Sequence, residues 1–110
     1  MKIEKKEKYT LISSDENTFQ DFYAEFQQQK STFEKEHLVI HLSDTFNTKN
    51  IEISSFIDYA NHKKENGTSF VIIDTNVIID DFPEDFNIAP TLQEAEDILE
   101  MEKIERELGF

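Results

Sequence analysis

Residues 66–74, Asn-Gly-Thr-Ser-Phe-Val-Ile-Ile-Asp, join a helix stop to a buried strand. Asn66-Gly67 supplies the left-handed backbone that ends helices, because glycine reaches positive φ without a Cβ clash. The run behind it, SFVIID (69–74), is too short for a helix and apolar on consecutive positions, so it reads as a central strand covered on both faces. Upstream of the stop, Ile53, Phe56, Ile57 and Ala60 repeat at helical spacing within 48–65. A helix that turns directly into a covered strand is the repeating unit of an α/β sheet.

The same pattern extends in both directions. HLVIHLS (37–43) is a second compact strand, and Phe19, Phe22, Tyr23 and Phe26 form one helical stripe over 18–29, with Asp15 or Asn17 as its cap. KIEKK (2–6) and KYTLIS (8–13) read as two short opening strands. Val77, Ile78 and Ile79, within 75–87, fit a helix, a strand or a packed loop equally. Thr91-Leu92-Gln93-Glu94 after Pro90 has the form of a capping box, and Leu92, Ala95, Ile98 or Leu99, Met101, Ile104 and Leu108 make an apolar stripe that ends at Gly109. The expected order is β-β-α-β-α-β-(irregular)-α. The fold class is α/β, a small mixed β-sheet with packed α-helices in a single domain over 1–110, residues 100–110 forming a C-terminal helical extension.

Composition limits the function. The chain has 110 residues, no cysteine, and 11 Lys+Arg against 24 Asp+Glu, a formal net charge of −13. Thiolate metal sites, disulfides and cysteine nucleophiles are excluded. An acid excess disfavours direct nucleic-acid binding, which needs a cationic patch. The charged opening, MKIEKKEKYTLISSDE, lacks the apolar run of a secretory signal, and no 18-residue apolar run exists, so the expectation is a cytoplasmic protein without membrane contact.

Three stretches resemble the STAS domain, the fold of bacterial anti-sigma-factor antagonists and of the cytoplasmic tails of sulfate transporters. LVIHLSD (38–44) looks like that family's central strand and the turn after it. NGTSFVIID (66–74) resembles the next helix end and strand, and NIAPTLQEAEDIL (87–99) the short last strand and the opening of the last helix. The resemblance implies a regulatory protein that binds other proteins, with a regulatory kinase or an anti-sigma-type factor as partner. In phosphorylatable members an Asp-Ser-(Ser/Thr)-Gly signature lies between the central strand and the second helix. Here that site falls at Thr48-Lys49-Asn50-Ile51, so its Asp and Gly are missing and the phosphoacceptor candidates are Thr48 and the nearby Thr45. A phosphoryl group would meet free N–H groups at a helix start, whereas an ordinary N-cap there contributes roughly 1 kcal/mol. The partner-binding candidates are Asp44, Thr45, Phe46, Asn47, Thr48, Asn50 and Glu52.

Catalytic chemistry is not visible. His37 and His41, four apart on a strand, would stand about 13 Å apart, too far to share a metal. His62 lies at a helix end, where its positive form is favoured by the dipole. Asp80-Asp81-Phe82-Pro83-Glu84-Asp85 lacks the alternating ligands and turn glycine of a calcium loop. With no nucleophile elbow and no phosphate-binding loop either, the chain reads as no enzyme, with no cofactor and no metal.

Residues 68–110 carry −10 of the charge, with two basic against twelve acidic residues. Asp80, Asp81, Glu84, Asp85, Glu96 and Glu100 are the candidate acidic face, and such a face steers basic partners. This supports an alternative in which the chain is an acidic accessory or decoy protein for a basic nucleic-acid-handling partner. A second alternative is a small-ligand or nucleotide-binding module at the strand ends near Asp44–Asn50 and Asp74–Asn76. The apolar positions of 101–110 point to a possible homodimer through that tail.

Overall fold

The computed structural model describes residues 1–46, 48–75 and 81–109. Its elements are β1 (Lys2–Lys5), β2 (Thr10–Ser13), α1 (Phe19–Gln29), β3 (Leu38–His41), α2 (Asn50–Ser54), α3 (Ile57–Glu65), β4 (Phe70–Ile73), β5 (Asn87–Ala89) and α4 (Leu92–Glu107), with 3-10 turns at Lys30–Phe33 and Asp44–Phe46. The five strands form one sheet in sequence order. β1 pairs antiparallel with β2, and β2, β3, β4 and β5 run parallel. This is the expected small mixed α/β sheet.

Parallel neighbours in sequence order require crossovers, and crossovers of one hand put every connecting element on the same face. Accordingly Phe19, Phe22 and Phe26 of α1, Phe33, and Ile53 and Phe56 around α2 share one core with Ile12, Leu38, Ile40, Phe70, Ile72 and Ile88. The described part of the link from β4 to β5 contributes Phe82 and Phe86 to this layer. α4 follows β5, leads to no further strand among the described residues, and packs on the opposite face. There Ala95, with the half-buried Ile98 and Leu99, meets Leu11, Val39, Val71, Ile73 and Ala89.

Local chemistry explains most boundaries. Gly67 and Gly109 adopt φ of 76° and 84°, the left-handed stops expected of them. Thr91 caps α4, its hydroxyl accepting from the Glu94 N–H at 3.2 Å. The cap of α1 is Thr18, whose hydroxyl accepts from the Asp21 N–H at 3.1 Å, and not Asp15 or Asn17. Asp15 is engaged elsewhere, as it and Glu16 pair with the ammonium of Met1.

One further expectation is corrected: the helix expected within 48–65 is broken at Ser55 and Phe56 into α2 and α3. The short strand that the family resemblance implied at the start of 87–99, absent from the order read by periodicity, is β5, paired with β4 in register Val71↔Asn87 to Ile73↔Ala89. Residues 100–107, expected as a helical extension, continue α4 without a break. The expectations for Val77, Ile78 and Ile79 lie outside the described residues. At the β1 edge, Glu4 bridges Lys2 at 3.2 Å and Lys6 at 3.1 Å. Among the described residues no helix is long and apolar enough to cross a membrane.

Candidate functional site

The predicted partner-binding residues gather at the carboxyl ends of β3 and β4, where an open α/β sheet presents its loops. β3 ends at His41, and the chain turns through Asp44–Phe46 before entering α2. Phe46 is half-buried, its ring 6.5 Å from that of Phe22, so this residue fixes the turn to the core. The carboxylate of Asp44 accepts from the Thr75 hydroxyl at 3.1 Å, which ties the turn after β3 to the segment after β4. Asn50 donates its side-chain amide to Asp81 at 2.6 Å and thereby joins the acidic segment to the start of α2. Glu52 reaches back to the Lys49 N–H at 2.9 Å, the reciprocal half of a capping box, and accepts from the Gln20 amide at 2.8 Å. Asp44, Phe46, Asn50 and Glu52 are thus each held by a partner elsewhere in the fold, along the turn after β3 and the first turn of α2. Asn47 and the side chain of Thr45 lie outside the described residues, as do Asn76 and Asp80.

Thr48 differs from its neighbours. Its side-chain oxygen is buried and has no hydrogen-bond partner among the described residues. A buried hydroxyl is out of reach of a kinase, so in this conformation Thr48 is not presented as a phosphoacceptor.

One prominent feature of this end was missed in the sequence. Ile51, on the first turn of α2, is 78% exposed. It borders a shallow groove of about 350 Å³ between α1 and α2, lined by Phe19, Gln20, Tyr23, Ala24, Glu52 and Ser55. The signal was available, since Ile51 falls outside the stripe of Ile53, Phe56, Ile57 and Ala60.

The candidate acidic residues are divided. Glu96 accepts from the Tyr9 hydroxyl at 2.7 Å and Glu100 lies 3.8 Å from Lys8, both beside a groove of about 570 Å³ between α4 and the start of β2 and β3. Glu84 and Asp85 line a different groove, of about 630 Å³, between the ends of α3 and α4, where Asp85 pairs with Lys64 at 3.2 Å. Asp81 belongs to the α2 end. The acidic segment is also anchored in a way its charge concealed, because Phe82 and Phe86 are buried with ring centroids 5.6 Å apart.

The opposite end of the sheet carries His37, His62 and the buried cation, while His41 lies at the carboxyl end of β3. His37 Nδ1 accepts from the Ser69 N–H at 3.0 Å, and burial, then the charges of Arg106 and Lys63, hold its pKa below the usual value. His41 is exposed at the end of β3. His62 sits in the last turn of α3, as its spacing implied. Lys63 beside it turns inward and is fully buried, its ammonium donating to the Phe33 carbonyl at 2.6 Å and lying 5.5 Å from the Tyr59 ring centre. Burial pulls the Lys63 pKa down to about 8 against the attraction of Glu36 and Glu34. Among the described residues no group of three or more His, Asp or Glu side chains is placed to hold a metal ion.

No family model and no curated protein matches this chain. The STAS resemblance therefore stands on the three stretches quoted above.

Proposed function

We propose that the chain is a non-catalytic, STAS-like regulatory protein of the cytoplasm that binds another protein through the α2 end of its sheet. The observation that carries this reading is Ile51, a large aliphatic side chain 78% exposed beside the apolar groove of Phe19, Tyr23 and Ala24. An aliphatic anchor next to a groove with a polar rim has the anatomy of a protein-docking patch. The polar lining here is Gln20, Glu52 and Ser55, the first two joined by the hydrogen bond described above, and Asn50 and Asp44 lie nearby on the same end of the sheet. By the family resemblance the partner is a regulatory kinase or an anti-sigma-type factor.

Regulation by phosphate, if it operates, falls to Thr45 and not to the buried Thr48. The test is affinity capture from the native cell with wild type and with Ile51→Asp, compared by quantitative mass spectrometry. The expected result is a regulatory partner retained by wild type and lost from the variant, with both proteins melting at the same temperature. Identical recoveries from the two would overturn the assignment of this patch.

A further inference from the structure

α4 has two apolar sides, and the sheet uses one. Sixteen residues make a helix of about 24 Å, whereas the three residues of β5 beneath it span about 10 Å. Ala95, Ile98 and Leu99 face the sheet, as do Glu102, which accepts from the Asn87 amide at 2.7 Å, and Arg106, which donates to the Ser69 hydroxyl at 3.1 Å. Measured around the helix from Ala95, Met101, Ile104 and Leu108 fall at about 180–240°, on the far side. They are 63%, 47% and 67% exposed. The single stripe expected from the sequence, 92 to 108, is thus two stripes, and among the described residues the outer one is left largely uncovered.

The outer stripe has the spacing of a coiled-coil seam. Met101, Ile104 and Leu108 stand at i, i+3 and i+7, the a, d and next a positions of a heptad. The positions that flank such a seam, g and e, are then Glu100, Glu105 and Glu107, all of them exposed. Lys103 and Arg106, the only cations of α4, line the groove shared with Lys8 and His37, which Glu100 and Glu107 border from the seam side, Glu100 lying 3.8 Å from Lys8. Flanking charges select the partner of a seam. A second copy of this chain would set glutamate against glutamate in either a parallel or an antiparallel pairing, and each copy carries a formal −13.

We propose that the outer face of α4 docks a helix from a different protein, one with apolar residues at its own a and d positions and lysine or arginine at its e and g positions. The site is independent of the Ile51 patch, so either can fail without the other.

The probe is a synthetic fluorescent peptide of three heptads with leucine at a and d and lysine at e and g. Two controls accompany it, one with glutamate at e and g and one with the lysine peptide's residues scrambled. Fluorescence anisotropy against the full chain is expected to show the lysine peptide binding at least tenfold more tightly than either control, and weakening as salt rises from about 50 to 500 mM. The triple variant Met101→Ser, Ile104→Ser, Leu108→Ser is expected to lose at least tenfold in affinity while keeping its melting temperature, since these side chains are exposed. Glu100→Lys, Glu105→Lys, Glu107→Lys is expected to reverse the preference toward the glutamate peptide. The proposal is overturned if no peptide binds, if the scrambled peptide binds equally, or if the serine variant binds like wild type. It is also overturned if wild type sediments as a dimer that the serine variant converts to monomer, because the occupant is then a second copy.

Discussion

On one face of the sheet, eight of the ten phenylalanines converge from α1, α2, β4 and the β4–β5 link, while on the other α4 alone closes the surface with an alanine and two half-buried aliphatics. The aromatic layer is interlocked. The Phe56 ring lies 5.9 Å from Phe19, 5.4 Å from Phe26, 6.0 Å from Phe70 and 5.2 Å from Tyr23, mostly edge to face. Such pairs add to the area they bury, and a dense interior leaves few apolar groups for anything outside the molecule. The α4 layer is thin, and its small inward contact leaves the outer apolar stripe free. The first layer is the more tightly packed, with Ile51 exposed at its α2 end, and the second leaves the longer apolar stripe outward.

This difference can be broken in several ways, the largest first. Phe56→Ala should lower the unfolding free energy by about 3–5 kcal/mol in urea titration, because the rings around it cannot close the space. Leu99→Ala on the other face should cost only about 1–2 kcal/mol, since the side chain is already half exposed. Equal losses at the two positions would remove the distinction between the layers.

Lys63 sharpens the comparison through pH. Its amine titrates near 8 in the folded chain against 10.5 for the free side chain, so between those values the unfolded chain binds more protons and stability rises with pH. The expected gain from pH 8 to 10 is on the order of 1–2 kcal/mol, and it should vanish in Lys63→Met. Above pH 10 the sign reverses. Tyr59, its hydroxyl pushed up by burial, and Tyr9, raised to about 12 by burial and the bond to Glu96, keep their protons longer in the folded chain than in the unfolded one.

The smallest effect concerns the unpaired oxygen of Thr48. Thr48→Val keeps the shape and removes that oxygen, so stability should hold or rise by up to about 1 kcal/mol. A loss of more than about 1 kcal/mol would mean that the hydroxyl does have a bonding role.

What could be read from the residues alone followed the strength of the local signal. β4 and its glycine stop, the stripe of α1 and the Thr91 cap each combine a clear period with turn or capping chemistry, and all are present as expected. β5 has three residues before Pro90 and shows no period, so only its register against β4 makes it a strand. The break between α2 and α3 is invisible because Ile53, Phe56, Ile57 and Ala60 keep helical spacing across it. Phe82 and Phe86 were masked by the acidic residues around them. For the binding surface, the resemblance pointed to the α2 end, but the most exposed apolar residue there, Ile51, was not singled out. The six acidic candidates were taken as one face, and the five that are described are spread over two grooves and the α2 end.

The Lys2–Glu4–Lys6 bridge sits on β1, an outermost strand of the sheet, and the other outermost strand, β5, is three residues long. Edge strands are where sheets recruit further chains, and a row of paired charges at one end with almost no backbone to copy at the other discourages both additions. The mixed sheet is thus guarded against growing into a fibre from either side, and concentrated solutions of this chain should stay free of β-rich aggregates until the aromatic layer is opened.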